Sequence, residues 1–375
     1  MSSRKVGIIG ARGIRNYGGY ETVVSEIASR LVQNNVDVYC SCEYAPEINR
    51  PTDYKGAHLL YFPVKPPENY SLRKLYEFFY DIYFASKFSA LCDIVYVLGV
   101  SAGPITIMIT RLMKKRAIIN VDGLEWKRNK FSLFEKIILF IFFHISAMSA
   151  NATIIDNTQL QRHLLGLRKI IYIPYGASSD TIPTWDTALL KNLFGSTITD
   201  KLSKSAYWLV IARLEPENNI HLIVDAFRQT DTKYPLVFVG SFTSNKYRNL
   251  ILEKIQNANN IIMLGGIYNF NLMEMIRKYC FAYIHGHSVG GTNPSLLESM
   301  NMKNTILAHD NEFNREVCGS GALFWKNSEE LKNLIELTEK GKITTTPIQN
   351  VAFDRVQKEY AWDRVIEKYL ELFKS

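Results

Sequence analysis

A glycine-rich segment in the last third of the chain has the most specific spacing of polar residues. It reads YIHGHSVGGTNPSLLE over residues 283–298: an apolar run, a glycine turn, then a helix whose start is marked by Pro294. Backbone amides before a helix, together with the helix dipole, can hold a diphosphate without a metal ion. We predict that four residues supply these amides: Gly290, Gly291, Thr292 and Asn293.

Three side chains beside this turn in the sequence, and Arg213 upstream of it, extend the prediction. Glu298 lies about one turn into the helix, where a carboxylate can accept hydrogen bonds from two ribose hydroxyls; a solvent-facing position is the alternative. His287 is either a ligand contact or a structural hydrogen-bonding residue, and with His285 it lacks a third metal ligand. Arg213 follows an apolar run, and its guanidinium fork suits phosphate, with an exposed ion pair to a nearby glutamate as the alternative.

A second glycine-rich loop, GARGIRNYGGYE at residues 10–21, joins the first apolar run to a predicted helix. Gly18 and Gly19 lie just before that helix, whose free N–H groups favour anions, and Arg12 adds positive charge. The spacing fits neither the GxGxxG of nicotinamide enzymes nor a P-loop. We predict a ligand contact of open kind, the alternative being a turn that only packs strand against helix.

A third candidate site is NVDGLEWKR at residues 120–128, after another apolar run. Trp126 offers a flat face for a sugar ring, and Asp122 and Glu125 can orient sugar hydroxyls. Asp122 could instead cap the following turn. We interpret this loop as a sugar site.

The elements that must position these loops alternate between short apolar runs and longer amphipathic stretches. Strands are predicted at residues 6–9, 36–42, 59–62, 94–98, 117–121, 153–156, 170–173, 207–212, 236–239, 261–264, 281–285 and 305–308. Strands separated by helices indicate an α/β fold with parallel sheets. We predict two doubly wound, Rossmann-like domains facing across a cleft, the GT-B architecture. The predicted domains are residues 1–178 and 205–358, and a helix over residues 359–375 crosses back to the first domain.

Charge and cysteine content narrow the function classes. Residues 1–180 hold 22 Lys and Arg against 15 Asp and Glu, so most of the net charge of +8 lies there. This excess suits anionic lipid or a phosphorylated substrate, and nucleic acid is the weakest alternative because no nucleic-acid motif accompanies it. Five cysteines without pairing motifs and an N-terminus without a signal peptide predict a cytoplasmic protein. Aromatic and basic residues over 70–88 suit either a membrane surface or the core.

With these motifs in place, the chain resembles the family-4 glycosyltransferases, and within them bacterial rhamnosyltransferases of polysaccharide synthesis. The resemblance spans nearly the whole chain, and it implies that residues 1–178 bind the acceptor and residues 205–358 the nucleotide-sugar. Its most specific motifs are RG at 12–13, YGGYE at 17–21, DGLEWKR at 122–128, IPYG at 173–176, RLEPENN at 213–219, HGH at 285–287 and GGTNP at 290–294.

The resemblance implies a metal-independent transfer with retention at the anomeric carbon, and no cofactor. It implies dTDP-L-rhamnose as donor and a lipid-linked saccharide as acceptor, in O-antigen or capsule synthesis at the inner face of the bacterial plasma membrane. Arg213 matches the position that holds the donor diphosphate and Glu298 the one that contacts ribose, while Asp122 falls where catalytic or acceptor groups collect. We therefore predict Asp122 and Arg213 as catalytic. The donor would be held by Gly18, Gly19, Arg213, His287, Gly290, Gly291, Thr292, Asn293 and Glu298, and the acceptor by Arg12, Tyr17, Glu21, Glu125 and Trp126.

Three positions depart from the family pattern. Asn218 stands near the place where many members carry a phosphate-binding lysine, Ser288 where relatives often have glutamate, and Gly290 where many have the first of two glutamates. The alternatives are a family-4 transferase using another nucleotide-sugar, a GT-B sugar-nucleotide epimerase, a non-catalytic partner subunit and a nucleic-acid binder.

Overall fold

The chain forms two compact units. The computed structural model describes residues 4–14, 19–121, 123–128, 131–164, 166, 169–177, 183–202 and 204–374. One unit comprises Met1–Tyr175 with Trp362–Ser375, and the other comprises Gly176–Ala361. Residues 183–202, which the sequence places between its two predicted domains, pack within the second unit, where Trp185 contacts Tyr207 and Tyr279.

An eight-stranded sheet lies at the centre of the first unit, in the order β3-β4-β2-β1-β5-β6-β7-β8. Neighbouring strands are parallel except for the short antiparallel pair β3 and β4. The central strands are rich in Val and Ile and buried along almost their whole length, as expected for a parallel sheet covered on both faces. The strands are β1 Lys5–Ile9, β2 Asp37–Cys42, β3 Asp53–Tyr54, β4 Ala57–Tyr61, β5 Ile94–Leu98, β6 Arg116–Val121, β7 Ala152–Ile155 and β8 Ile170–Tyr172.

Five α-helices belong to this first unit. They are α1 Gly19–Gln33, α2 Tyr70–Leu91, α3 Gly103–Leu112, α4 Leu133–Ser149 and, at the end of the chain, α14 Trp362–Lys374. Short 3₁₀ turns lie at Glu47–Asn49, Glu125–Lys127 and Thr158–His163. Helix α14 packs into the unit through its apolar stripe: the buried hydroxyls of Tyr369 and Tyr96 are 2.9 Å apart, and Arg116 donates to the carbonyl of Leu372.

A six-stranded, fully parallel sheet forms the second unit, in the order β11-β10-β9-β12-β13-β14. Its strands are β9 Trp208–Ile211, β10 Leu236–Val239, β11 Ile261–Gly265, β12 Ala282–His285, β13 Ile306–His309 and β14 Leu323–Trp325. Its helices are α5 Thr187–Phe194, α6 Ser196–Thr199, α7 Ile220–Arg228, α8 Asn245–Ile255, α9 Phe270–Lys278, α10 Pro294–Asn301, α11 Glu312–Cys318, α12 Ser328–Glu339 and α13 Thr346–Arg355. Trp208, Phe227, Phe238 and Trp325 lie in the buried core of this unit.

Both sheets reverse their strand order at one point, between β1 and β5 in the first unit and between β9 and β12 in the second. Open α/β sheets bind ligands at such a switch point, beyond the carboxyl ends of the strands. The two parallel sheets with covering helices confirm the predicted α/β fold of two Rossmann-like domains. The glycine loop at residues 10–21 follows β1, Arg213 follows β9 and His287 follows β12, so these residues flank the two switch points.

Candidate functional site

Two loops meet at the switch point of the second unit, and Asn218 joins them. Its side-chain amide nitrogen donates to the carbonyl oxygen of Arg213 at 2.7 Å, which leaves its amide oxygen facing Nδ1 of His287 at 2.8 Å. Because an amide oxygen only accepts hydrogen bonds, the His287 proton sits on Nδ1 in the neutral ring, and Nε2 is then an acceptor. Asn218 is buried, so the position where many family-4 members carry a lysine supports the loops here.

Other asparagines fix the backbone of residues 286–288. Asn219, in the left-handed conformation, donates to the carbonyl of Gly286, and Asn311 and Asn314 both donate to the carbonyl of His287. Gly286 is required by this packing, since a Cβ there would lie 2.1 Å from the carbonyl oxygen of Asn218. The turn after β12 is therefore held rigidly before the chain reaches Gly290.

Gly290 is coupled to His287. Its φ of +128° is rarely adopted by other residues, and a Cβ built on it would lie 2.9 Å from Nε2 of His287. A glutamate or any other side chain at this position would therefore meet the imidazole. The neighbouring residues lead into α10: Gly291 and Thr292 are buried, and the Asn293 side chain accepts from the N–H of Ser295 as the helix N-cap.

Arg213 combines the two roles that the sequence left open. Its Nη2 lies 3.2 Å from a carboxylate oxygen of the buried Glu215, while 56% of its side chain remains exposed. The N–H of Glu215 donates to the Arg213 carbonyl, and Glu215 in turn accepts from the N–H of Asn218. The ion pair thus anchors one edge of the guanidinium and leaves the rest able to meet an anion.

Glu298 belongs to a buried triad that sequence reasoning missed. Its Oε2 lies 2.6 Å from Nη2 of Arg277, whose Nη1 pairs with Glu274. Glu298 is 18% exposed whereas Arg277 is 1% exposed, so Glu298 is the reachable end of the triad. Burial and the charge of Glu298 raise the pKa of Glu274 to about 7, against the lowering effect of Arg277. The sequence signal was available: Glu274 and Arg277 lie at i and i+3 among apolar residues of one short helix.

His285, the last residue of β12, is buried. Burial, with a smaller contribution from His309, lowers the pKa of His285 to about 3, so the ring is neutral. Its Nδ1 lies 3.3 Å from the hydroxyl of Tyr283. Across the residues whose placement is described, no group of three or more His, Cys, Asp or Glu side chains is arranged to hold a metal ion.

In the first unit, the described start of the glycine loop, residues 10–14, is held by α1 and α2. Arg12 Nη1 lies 3.0 Å from Asp81, its guanidinium stacks 4.2 Å from the centre of the Tyr80 ring, and its backbone N–H donates to Glu21. Asp81, Tyr80 and Glu77 raise the pKa of Arg12, outweighing the opposing effect of its burial. Gly19 begins α1, whereas Tyr17 and Gly18 lie outside the described residues. The contacts of Arg12 and Glu21 therefore stabilise the described start of the loop.

A pocket of about 390 Å³ opens beside Arg12, near the carboxyl ends of β1 and β2. Burial raises the pKa of Glu43 in its wall, although Arg73 pairs with that carboxylate and Arg12 lies close to it. Arg50 stacks 4.7 Å from the centre of the Tyr61 ring. The lining combines aromatic, acidic and basic groups: Arg12, Gly13, Ile14, Cys42, Glu43, Tyr44, Ala45, Pro51, Leu59 and Tyr61. The predicted loop at residues 10–21 contains three of these residues, Arg12, Gly13 and Ile14, and sequence reasoning missed the other seven.

The loop at residues 120–128 is placed only in part, because Asp122 lies outside the described residues. Glu125 pairs with Arg128 at 2.8 Å, and both lie in the 3₁₀ turn after β6 or beside it. Trp126 packs edge-on against Phe143 of α4, with ring centres 4.6 Å apart, and against Phe140. Trp126 thus anchors this turn to α4, and the structure does not bring it to the Arg12 pocket lining.

Comparison with known proteins gives two domain matches. Residues 3–178 match the family described as Domain of unknown function (DUF1972), and residues 197–351 match Glycosyl transferases group 1. No curated protein is significantly similar to the chain in sequence.

Solved structures with the same fold cover nearly the whole chain at low sequence identity. The Anabaena protein Alr3699/HepE in complex with UDP-glucose is 15% identical, with a TM-score of 0.76 and 99% of each chain covered. Sucrose-phosphate synthase from Thermosynechococcus elongatus is 12% identical, with a TM-score of 0.82 over 99% of this chain and 98% of its own. A glycosyltransferase from Rickettsia africae is 15% identical, with a TM-score of 0.74 over 100% and 98%.

These neighbours confirm the predicted GT-B fold. The chain therefore has the GT-B fold, and its residues 197–351 match the glycosyl transferases group 1 domain.

Proposed function

We propose that the protein is a glycosyltransferase that moves a sugar from a nucleoside-diphosphate sugar to a saccharide acceptor, with retention at the anomeric carbon and without a metal ion. One observation carries the proposal: Asn218 ties the Arg213 loop to the His287 loop at the switch point between β9 and β12. A half-exposed guanidinium and the glycine turn before α10 thereby share one sheet edge, where anionic ligands bind in open α/β sheets. HepE, which has this fold, binds UDP-glucose.

The diphosphate is assigned to Arg213 and the backbone of residues 290–293. As the bond from the anomeric carbon to the diphosphate breaks, negative charge grows on the leaving oxygen, and a guanidinium fixed beforehand by Glu215 stabilises it without reorganising. The acceptor hydroxyl attacks from the same face, and the leaving phosphate takes its proton. Glu298, held by Arg277, accepts a hydrogen bond from the 3′-hydroxyl of the nucleotide's sugar ring and, where the nucleotide is a ribonucleotide, from the 2′-hydroxyl as well.

The acceptor is assigned to the first unit, in the pocket beside Arg12. Sugar rings stack on aromatic side chains and hydrogen-bond to carboxylates and guanidinium groups, and Tyr44, Tyr61, Glu43 and Arg12 supply these groups there. Asp122 is the side chain proposed to position or assist the reacting groups.

We further propose dTDP-L-rhamnose as the donor and a lipid-linked saccharide at the inner face of a bacterial plasma membrane as the acceptor, in surface-polysaccharide synthesis. The support is the resemblance of the motifs at residues 12–21, 122–128 and 213–219 to those of bacterial rhamnosyltransferases. The net positive charge of the first half of the chain is consistent with a phosphorylated lipid carrier.

The test is transfer of label from a panel of radiolabelled nucleotide-sugars to the lipid fraction of a membrane extract from polysaccharide-producing cells. We expect label from dTDP-rhamnose in the lipid fraction, lost in Arg213→Ala and retained in Arg228→Ala. Arg228 is an exposed arginine at the last residue of α7, away from the carboxyl ends of the strands, so it controls for loss of a cation. Transfer from a different sugar would overturn rhamnose alone. Conversion of free nucleotide-sugar without transfer would overturn the transferase in favour of an epimerase.

A further inference from the structure

Helix α4 presents an apolar face to solvent. Seven of its large apolar side chains are exposed, and they recur at helical spacing along one side: Leu133, Phe134, Ile137, Phe140, Ile141, Ile145 and Met148. The helix has only two charged residues, and one of these, Glu135, caps the first turn through Ser132 and pairs with Lys74. A surface helix of a globular domain normally turns its apolar stripe inward. Helix α4 has apolar residues on both sides, because Phe143 and Ala147 are buried in the unit.

The exposed apolar surface continues onto the two neighbouring helices. Helix α3 adds Met108 and Leu112, and the N-terminal part of α2 adds Leu72, Leu75 and Phe79. The sequence left α2 open between a membrane surface and the core. Tyr76, Tyr80, Phe84 and Phe88 of that helix are buried, so most of its aromatic stripe is core. The main exposed stripe lies on α4. Contiguous apolar surfaces of this kind mark interaction sites.

Positive charge borders this surface. Arg111, Lys114 and Lys127 are exposed beside it, and Arg111 donates to the carbonyl of Ser149, which places its charge at the C-terminal end of α4. Residues 103–149 contain eight Lys and Arg against three Asp and Glu. Basic side chains around an apolar helix face complement the anionic headgroups of a lipid bilayer.

We infer that α4, together with the exposed parts of α2 and α3, docks onto an anionic membrane surface, with α4 lying in the interface. No helix among the residues that the structure describes is both long and apolar enough to cross a bilayer, and a helix of 17 residues extends only about 25 Å. A second copy of the chain fits this face less well, since a twofold contact would bring the same basic residues together. The inference does not depend on the proposed donor or acceptor.

Vesicle cosedimentation of the purified full chain tests the inference. We expect binding to vesicles of phosphatidylethanolamine and phosphatidylglycerol, and weak binding to phosphatidylcholine alone. The variant Phe134→Ser/Ile141→Ser should bind at least roughly tenfold more weakly, because two apolar side chains no longer enter the interface. The matched control is Phe270→Ser/Leu250→Ser: Phe270 is 57% exposed and Phe134 72% exposed, and both control residues lie in the second unit. This control should bind as wild type does.

Two further measurements keep the outcome interpretable. Circular dichroism and nucleotide binding of the α4 variant should match wild type, which separates loss of docking from loss of folding or of donor binding. Lys114→Gln/Lys127→Gln should weaken binding to anionic vesicles and reduce its dependence on salt. Equal vesicle binding by wild type and the α4 variant would overturn the inference. Absence of vesicle binding, with a wild-type dimer that the α4 variant dissociates, would assign this face to a second copy.

Discussion

The side chains of Asn218 and His287 are directly hydrogen-bonded, with the amide oxygen of Asn218 2.8 Å from Nδ1 of His287. The other end of the same amide holds the carbonyl of Arg213. One buried side chain therefore sets the relative position of two loops from adjacent strands, and it also fixes which nitrogen of His287 faces Gly290. The nucleotide site that we propose depends on this bridge.

Removing the Asn218 side chain should lower the free energy of unfolding and weaken nucleotide binding. Asn218→Ala removes its hydrogen bonds to the Arg213 carbonyl, which keeps the one from the Glu215 N–H, and to His287 Nδ1, and each lost hydrogen bond costs about 1–3 kcal/mol. We expect a lower urea midpoint and a nucleoside-diphosphate Kd raised at least tenfold, or about 1.4 kcal/mol. Asn260→Ala, a partly buried asparagine bonded to Thr232, is the control and should leave the Kd unchanged. A wild-type Kd in Asn218→Ala would exclude the bridging role.

A side chain at residue 290 should lower both the stability and the transfer activity of the protein. Gly290→Ala meets an unfavourable φ and a contact 2.9 Å from His287 Nε2, so we expect stability to fall by about 1–3 kcal/mol and transfer activity to drop. In the double variant with His287→Ala the clash is relieved, so part of the lost stability should return. Gly341→Ala, at φ +64° with open space around it, measures the smaller backbone cost of the left-handed region without a clash. Identical losses at Gly290 and Gly341 would show that His287 does not restrict this position.

The Arg277 triad predicts which hydroxyl of the nucleotide's ribose ring contributes to binding. Glu298→Gln should weaken binding of UDP more than binding of 2′-deoxy-UDP, because a hydroxyl that the carboxylate accepts is missing from the second ligand. Arg277→Lys should show the same pattern more weakly, since a lysine cannot pair with both Glu274 and Glu298 through two edges. Equal losses for the two nucleotides in Glu298→Gln would place this carboxylate away from the 2′-hydroxyl.

The same triad predicts a pH dependence of stability. The pKa of Glu274 rises from its usual 4.5 to about 7 on folding, so the folded chain binds a proton that the unfolded chain has released between these values. Stability therefore falls as pH rises from about 4.5 to about 7, by at most about 3 kcal/mol. Glu274→Gln stays neutral and should lack this component. Urea unfolding of both proteins across that range measures the difference, and parallel pH profiles would contradict it.

The pocket in the first unit predicts that a substitution in its lining weakens acceptor binding and leaves nucleotide binding unchanged. Tyr61→Ala removes an aromatic wall and the ring on which Arg50 stacks, so we expect acceptor KM to rise about tenfold or more while the nucleotide Kd stays unchanged. Tyr54→Ala is the matched control, because Tyr54 also carries a stacked cation but does not line the pocket. An unchanged KM in Tyr61→Ala would move the acceptor elsewhere.

Much of the fold was predictable from apolar runs. Strands β5 and β10 have the predicted bounds, because Val- and Ile-rich runs between polar residues are typical of buried parallel strands. The two strands that the sequence missed, β3 and β14, are two and three residues long and lie at sheet edges, too short for a periodic signal. Local pattern thus predicts the covered centre of each sheet better than its edges.

The candidate site was predictable where backbone chemistry dominates and less so where side chains pair. The glycine turn before α10 follows from Gly290 and Pro294, since few other residues suit those conformations. The role of Asn218 depends on which loops meet in three dimensions, and a single sequence does not contain that pairing. Trp126 has the residue type of a sugar platform, yet its edge contacts with Phe140 and Phe143 are tertiary and leave no trace in local spacing.

Calorimetric titration of UDP and dTDP into wild type, Arg213→Ala and Arg228→Ala tests the central claim most directly. The account predicts saturable binding of at least one nucleotide to wild type and to Arg228→Ala. It predicts a Kd raised about tenfold to a hundredfold in Arg213→Ala, since hydrogen bonds to a charged group contribute about 1.5–3 kcal/mol. Unchanged binding in Arg213→Ala, or no nucleotide binding by the wild-type chain, would contradict a diphosphate site between β9 and β12.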